Sequence, residues 1–199
     1  MPLRLSFRKP EAAMIAYLES TSVIDWQHPS ILDLAHELAG NSREATAKNC
    51  FEWVRDEIKH SGDCQLNPIT CSASHVLQAG TGFCYAKSHL LAALLRANSI
   101  PAALCYQRLS LGDGKFCLHG LNAIQLPHIG WYRVDARGNK PGVNAQFDPP
   151  HERLAFKIEL PGEMDLPDVY PTPLPHVVHA LTHFRTVDDL ASNLPDVES

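Results

Sequence analysis

The sequence predicts an α+β fold, helices first and sheet second. Up to Asn98, apolar residues recur at helical spacing, with Ser, Pro and Gly where helices start and stop. After Pro101 the period changes, and short aliphatic and aromatic runs alternate with Gly- and Pro-bearing breaks, the mark of antiparallel strands. No internal repeat is visible, so the two halves belong to one layered domain.

In chain order, "KPEAAMIAYLES" reads as a helix with Pro10 in its first turn and Met14, Ile15 and Leu18 on one face. "HPSILDLAHELAGNS" repeats the pattern from Pro29 to Gly40. "SREATAKNCFEWVRDEIKHSGD" has Ser42 as N-cap and a stripe of Ala47, Cys50, Phe51, Val54 and Ile58. Its last turn is expected to carry Lys59 and His60 before Gly62, suiting the negative end of a helix dipole. A loop around Pro68 follows, then a short helix "SASHVLQAG" capped by Ser72 or Ser74 and closed by Gly80. Tyr85 to Asn98 is nearly all apolar along Leu90, Leu91, Leu94 and Leu95, so it should be buried on more than one side. "AALCYQRLSL", "FCLHGLNAIQL" and "GWYRVDA" are the strands, and "RLAFKIEL" adds a fourth. Residues 1–160 are expected to form the domain, with its core over 42–148, and 161–199 an extension packed on it. The stretch "DVYPTPLPH" in that extension reads equally as a cover for a cleft or as a surface strap.

A chain of 199 residues is long enough for one proper core, and 20% charged residues is ordinary for a globular protein. The net charge of −5 and the lack of any basic block longer than Arg8–Lys9 argue against nucleic acid as a partner. No stretch nears the ~18 apolar residues of a membrane span. The N-terminus has no apolar core before a small-residue cleavage site, so it does not read as a secretory signal. Six cysteines without a CxxC pair then read as free thiols of the cytoplasm.

One cysteine is placed for chemistry. Cys84 follows "GTGF" at the start of the buried helix. A free thiol with a pKa near ~8.5 is mostly protonated at neutral pH, and a helix N-terminus favours the anion. Glycines at 80 and 82 allow a sharp turn and close approach of a substrate, and the Cys84 N–H points toward an oxyanion at an attacked carbonyl. A nucleophile needs a base, and the base an orienting group. His119 lies on a strand and Asp135 on the next. If Leu126 pairs with Gly130 across a three-residue loop, Leu121 faces Asp135. His119 then lies two residues along on the same face, a diagonal of ~7–8 Å that side chains can close. A loop of even length would separate them unless a bulge intervened.

"GTGFCYAKSHLLAALLRANSIPAALCY", "LHGLNAIQL" and "GWYRVDARGN", in that order, resemble the transglutaminase-like superfamily of papain-related cysteine enzymes. The resemblance covers roughly Cys50 to Asp148. It implies a papain-like core in which N-terminal helices, with the nucleophile at a helix N-terminus, pack on an antiparallel sheet. It also implies Cys84 as nucleophile, His119 as base and Asp135 as orienting carboxylate. Two departures stand out: Ser99 replaces the glycine of the usual Gly-Ile-Pro, and "DARGN" follows the aspartate where Pro-Thr is frequent.

The oxyanion hole needs a donor besides the Cys84 N–H. Gln78, six residues before Cys84, has a spacing that resembles papain-type enzymes, against the plainer account of a polar residue on a solvent-facing helix. Tyr85, Tyr106 and Asn122 are comparable candidates. His176, His179 and His183 have metal-ligand spacing, yet Leu174, Val177, Val178 and Leu181 form the opposite apolar stripe, so a solvated face is expected. Cys71 and His75 lack further ligands, and Asp148 in "FDPPHE" is a rival carboxylate in a turn. No metal and no cofactor are expected.

The expectation is a thiol enzyme of acyl transfer on amides of peptides or protein glutamines. Bacterial-looking members of this size resemble proteases more often than cross-linkers, so a peptidase or amidase is favoured. A protein-glutamine transferase shares the triad, and a non-catalytic binding module is the alternative of another class.

Overall fold

The computed structural model describes residues 14–197. The helix expected over Lys9–Ser20 lies partly outside them, and its described end is a helical Met14–Ile15 followed by a turn. The described helices are α1 (Pro29–Glu37), α2 (Arg43–Glu57), α3 (Ser61–Cys64), α4 (Ala73–Ala79), α5 (Cys84–Ala97), α6 (Pro175–His183) and α7 (Val187–Ala191). The strands are β1 (Lys59–His60), β2 (Thr81–Gly82), β3 (Ala102–Gly112), β4 (Lys115–Leu126), β5 (Gly130–Val134), β6 (Gln146–Asp148), β7 (His151–Arg153) and β8 (Met164–Asp165).

The fold is α+β, a helical layer over an antiparallel sheet ordered β5-β4-β3-β8. Its centre is α5, every residue of which from Cys84 to Arg96 is buried. It packs against α1, α2 and α4 on one side and β3 and β4 on the other. Burial on all sides leaves no solvated face for the polar residues, so each finds a backbone carbonyl. The Lys87 amine donates to the Ile58 and Arg55 carbonyls at the end of α2. His89 Nδ1 meets the Cys71 carbonyl at 2.8 Å. The Arg96 guanidinium donates to Glu19, Ala102 and Pro171, tying the first described loop and the C-terminal extension to the start of β3.

Local signals place the neighbours. Ser42 Oγ accepts the Ala45 N–H at 3.1 Å, the N-cap bond of α2, and Ala47, Cys50, Phe51 and Val54 form its buried stripe. The helix stops at Glu57, however, and Lys59 and His60 are not its last turn. Ile58 is extended (φ −88°, ψ 118°), and Lys59–His60 pair in parallel with Thr81–Gly82. The Lys59 N–H goes to the Gly80 carbonyl, a cross-chain bond that a helical turn would forgo. Gly80 closes α4 with φ 66°, the left-handed conformation glycine adopts cheaply. Ser99, which stands where the resemblance implies glycine, also takes a positive φ of 57°.

The strands follow the sequence except for the fourth. Asp113 and Gly114, both at positive φ, turn β3 into β4. Leu126 pairs with Gly130 across Pro127–Ile129, the odd loop that keeps Leu121 opposite Asp135. Of "RLAFKIEL" only Arg153 is strand, in β7, and residues 154–160 run as irregular chain. The fourth strand of the sheet comes instead from the extension, where β8 pairs with the free edge of β3. Farther along, Tyr170 bridges Leu104, and the Pro195 carbonyl accepts the Leu118 N–H. Among the described residues no helix is long and apolar enough to cross a membrane.

Candidate active site

Cys84 is the first residue of α5, so its N–H has no acceptor within the helix. The chain before it is clamped. Ser61 and Thr81 hydroxyls bond at 2.9 Å, and Thr70 Oγ1 donates to the Thr81 carbonyl at 2.9 Å. On the far side, β4 approaches the first turn of α5 at Gly120. A Cβ there would stand 2.9 Å from Tyr85 Cδ1 and 3.0 Å from its Cα, so only glycine fits. The close approach brings the Gly120 N–H to 3.4 Å from Cys84 Sγ. His119, next in the strand, is thereby carried to the thiol.

His119 alternates onto the sheet face that Leu121 and Ala123 share. Its Nε2 lies 2.7 Å from Asp135 Oδ2. With Nε2 so engaged, Nδ1 is the ring nitrogen left for Cys84, the imidazole's other hydrogen-bond partner. Asp135 is wholly buried, and its oxygens are filled. Oδ1 accepts the Arg137 N–H and Oδ2 the Ala155 N–H, each at 3.1 Å. Burial alone would drive His119 toward neutrality, but the Asp135 carboxylate and the Cys84 sulfur outweigh it and hold the imidazolium. Burial likewise opposes charge on Asp135, and the imidazolium with the two backbone N–H groups reverses that, keeping the carboxyl below its ordinary range. The Phe156 ring stands edge-on to His119 at 5.0 Å.

Cys84, His119 and Phe156 line a cleft of about 700 Å³ that also takes in Leu109, Leu118 and Leu194, with Asp135 buried behind His119. His60 and Arg137 line it as well. His60 Nδ1 accepts the Asp63 N–H at 3.2 Å, and its ring packs edge-on against Phe83 at 5.6 Å. Asp63 in turn accepts Arg137 at 2.9 Å and Lys140 at 2.7 Å. Burial would raise the Asp63 carboxyl, yet those two cations bring it down to about 2. His60 is pushed down to about 3, first by burial and then by the Arg137 charge, with Asp63 pulling weakly the other way.

Cys84, His119 and Asp135, singled out by position in the sequence, therefore meet. Gln78 does not join them. Val76 and Ala73 are the buried face of α4, and Gln78, two residues past Val76, points oppositely into a hollow with His28, Ser74 and His75. Tyr85 reaches the cleft but gives its hydroxyl to the Leu118 carbonyl. Asn122 donates to the Ser88 and Ala103 carbonyls, and Tyr106 accepts the Leu174 N–H. Asp148 pairs with Arg153 instead. On α6, Val177, Ala180 and Leu181 are buried and His179 and His183 stack on the exposed side. No cluster of metal-ligating side chains occurs among the described residues.

The sequence reading missed His60, Asp63, Arg137, Ala155 and Phe156. A signal existed for one of them: "DARGN" departs from the frequent Pro-Thr, and the departure supplies Arg137. Nothing in periodicity points to Ala155 or Phe156, which act from irregular chain.

The transglutaminase-like superfamily matches residues 33–136. No curated protein matches the chain. Among solved structures, a "putative cysteine protease" from Cytophaga hutchinsonii is similar with 19% identity and a TM-score of 0.52, over 67% of this chain and 45% of that one. The periplasmic domain of TgpA from Pseudomonas aeruginosa is similar with 23% identity and a TM-score of 0.47, over 63% of this chain and 47% of that one. The chain thus spans less than half the length of either.

Proposed function

On the premise that the chain belongs to the transglutaminase-like superfamily, we propose that it is a thiol enzyme of acyl transfer, opening amide bonds of peptides or of protein glutamine side chains with water as acceptor. The observation that carries this reading is the buried line Asp135–His119–Cys84, whose His119 and Cys84 line the cleft, with 2.7 Å between its carboxylate and imidazole.

The proton of the pair sits on His119, and Cys84 Sγ attacks the amide carbonyl carbon. The S–C bond forms and the carbonyl electron pair moves onto oxygen. As the C–N bond breaks, His119 returns the proton to the departing amine. Water then adds to the thioester, His119 takes its proton, and the acid leaves as the C–S bond breaks. Asp135 stays ionised throughout and fixes the ring through Nε2. The Phe156 ring packs edge-on against the His119 imidazole.

Four of the other thiols are poorer nucleophiles. Burial pushes Cys50, Cys105 and Cys117 up to about 12 and Cys71 up to about 11. All six cysteines are unpaired, which supports a reducing compartment, the cytoplasm.

The test is incubation with glutamine-containing peptides, with and without a primary amine, followed by mass spectrometry of peptide and protein. The expected result is a transient acyl group on Cys84 and a carboxylate product unchanged by the amine. An amine-linked product would make the enzyme a transferase. No acyl group on Cys84 from any peptide or activated ester would sink the reading.

A further inference from the structure

We propose that His60 is the second donor of the oxyanion hole, presenting Nε2–H to the oxygen that becomes negative when Cys84 adds to a carbonyl. The inference rests on the thiol-enzyme reading and adds a residue to it.

Position comes first. His60 pairs across the β1–β2 ladder with Gly82, two residues before the nucleophile. Its ring leans on Phe83 and lines the same cleft as Cys84 and His119. Tautomer comes next. Nδ1 accepts the Asp63 N–H, so it carries no hydrogen and the ring proton of the neutral form is on Nε2. Among the described residues no hydrogen bond uses that Nε2–H. The competing side chains are committed elsewhere: Tyr85 to Leu118, Asn122 to Ser88 and Ala103, and Gln78 to a different surface.

Charge state is consistent with the role. Arg137, Lys87 and His119 all oppose a proton on Nδ1, and Asp63 is already engaged by Arg137 and Lys140. His60 therefore stays a neutral donor, as an imidazole that polarises a carbonyl must be to leave the base beside it undisturbed. The Cys84 N–H, at the head of α5, is the first donor, and His60 lines the same cleft from β1. Two donors from two clamped segments form the hole without rearrangement.

Two reactions of Cys84 separate this role from any other. Acylation by p-nitrophenyl acetate passes through a tetrahedral oxyanion: the S–C bond forms, the electron pair moves onto oxygen, and collapse expels p-nitrophenolate. Alkylation by iodoacetamide forms S–C as iodide leaves, with no oxyanion. His60→Asn keeps an acceptor near Nδ1 for the Asp63 N–H and removes the Nε2 donor. Its acylation rate should fall about 10²- to 10³-fold, with alkylation within about 2-fold of wild type. His60→Gln, which restores an N–H at the longer reach, should recover most of the acylation.

Wild-type acylation in His60→Asn would overturn the assignment, and so would an equal fall in both reactions, the sign of a structural role. A wild-type Cys84 inert to both reagents would overturn the thiol reading itself, and the donor with it.

Discussion

His60 and His119 line one cleft, both nearly buried, and are driven in opposite directions. His119 is held as an imidazolium because a buried carboxylate sits 2.7 Å from Nε2 and otherwise accepts only the backbone N–H groups of Arg137 and Ala155. The carboxylate paired with His60, that of Asp63, stands 3.6 Å from Nδ1 and is spent on Arg137 and Lys140. Burial opposes charge on both rings, and what separates them is a carboxylate kept for one ring but shared with two cations beside the other, where the Arg137 charge adds to the burial. One cleft thereby holds a proton carrier and a fixed neutral donor of the same residue type.

The largest expected effect comes from removing the unshared carboxylate. Asp135→Asn keeps the ring's neighbour but not its charge, and peptide turnover should fall by up to about 10⁴-fold. A fall below 10-fold would break the contrast between the two histidines. Gly120→Ala attacks the geometry instead. Its methyl would push Tyr85 and the head of α5 off β4, cost about 1–3 kcal/mol by chemical denaturation and slow Cys84 alkylation. Unchanged stability would mean the close approach at Gly120 is not what seats the thiol beside His119.

A third prediction uses pH. The folded value of His119 is raised, to about 10, so its stabilisation is whole below the unfolded ~6.5 and fades as pH climbs through the folded value. Asp135 is lowered, so its share is present above the unfolded ~3.8 and lost as pH falls through the folded value. His60 is lowered to about 3, so the unfolded chain binds the extra proton and stability drops as pH falls from ~6.5 toward 3. His60→Asn should flatten the acid limb of the stability curve and leave the alkaline limb alone. A change on the alkaline limb would contradict the separation of the two rings.

The smallest effect is expected at α6. His179→Ala removes an exposed, stacked ring and should alter stability by no more than about 0.5 kcal/mol. Turnover should be unchanged. A measurable loss of activity would show that the histidine-rich helix belongs to the site.

The sequence carried most of what local rules can carry. Ser42, Gly80 and the buried stripe of α2 follow from capping and periodicity, and the odd loop that the pairing of His119 with Asp135 required is the one found at Pro127–Ile129. What it did not carry depends on contacts between distant segments. The Lys59–His60 strand exists because Thr81–Gly82 is there to pair with it, and nothing local to "EIKHSG" announces that. Residues 154–160 have strand composition, but the edge of β3 is taken by β8, and Ala155 is drawn to Asp135. Gln78 failed because spacing to Cys84 says nothing about which face of α4 is buried.

The central claim is that Cys84 is a thiol activated by His119. The most direct measurement is the rate of iodoacetamide labelling at each cysteine by mass spectrometry, from pH 5 to 9, in wild type and His119→Ala. Exposed Cys64 serves as the internal reference. The account predicts that Cys84, despite burial, is labelled well ahead of Cys64 below about pH 8, and that His119→Ala abolishes the lead. Labelling of Cys84 no faster than Cys64, or a lead that survives the substitution, would contradict it.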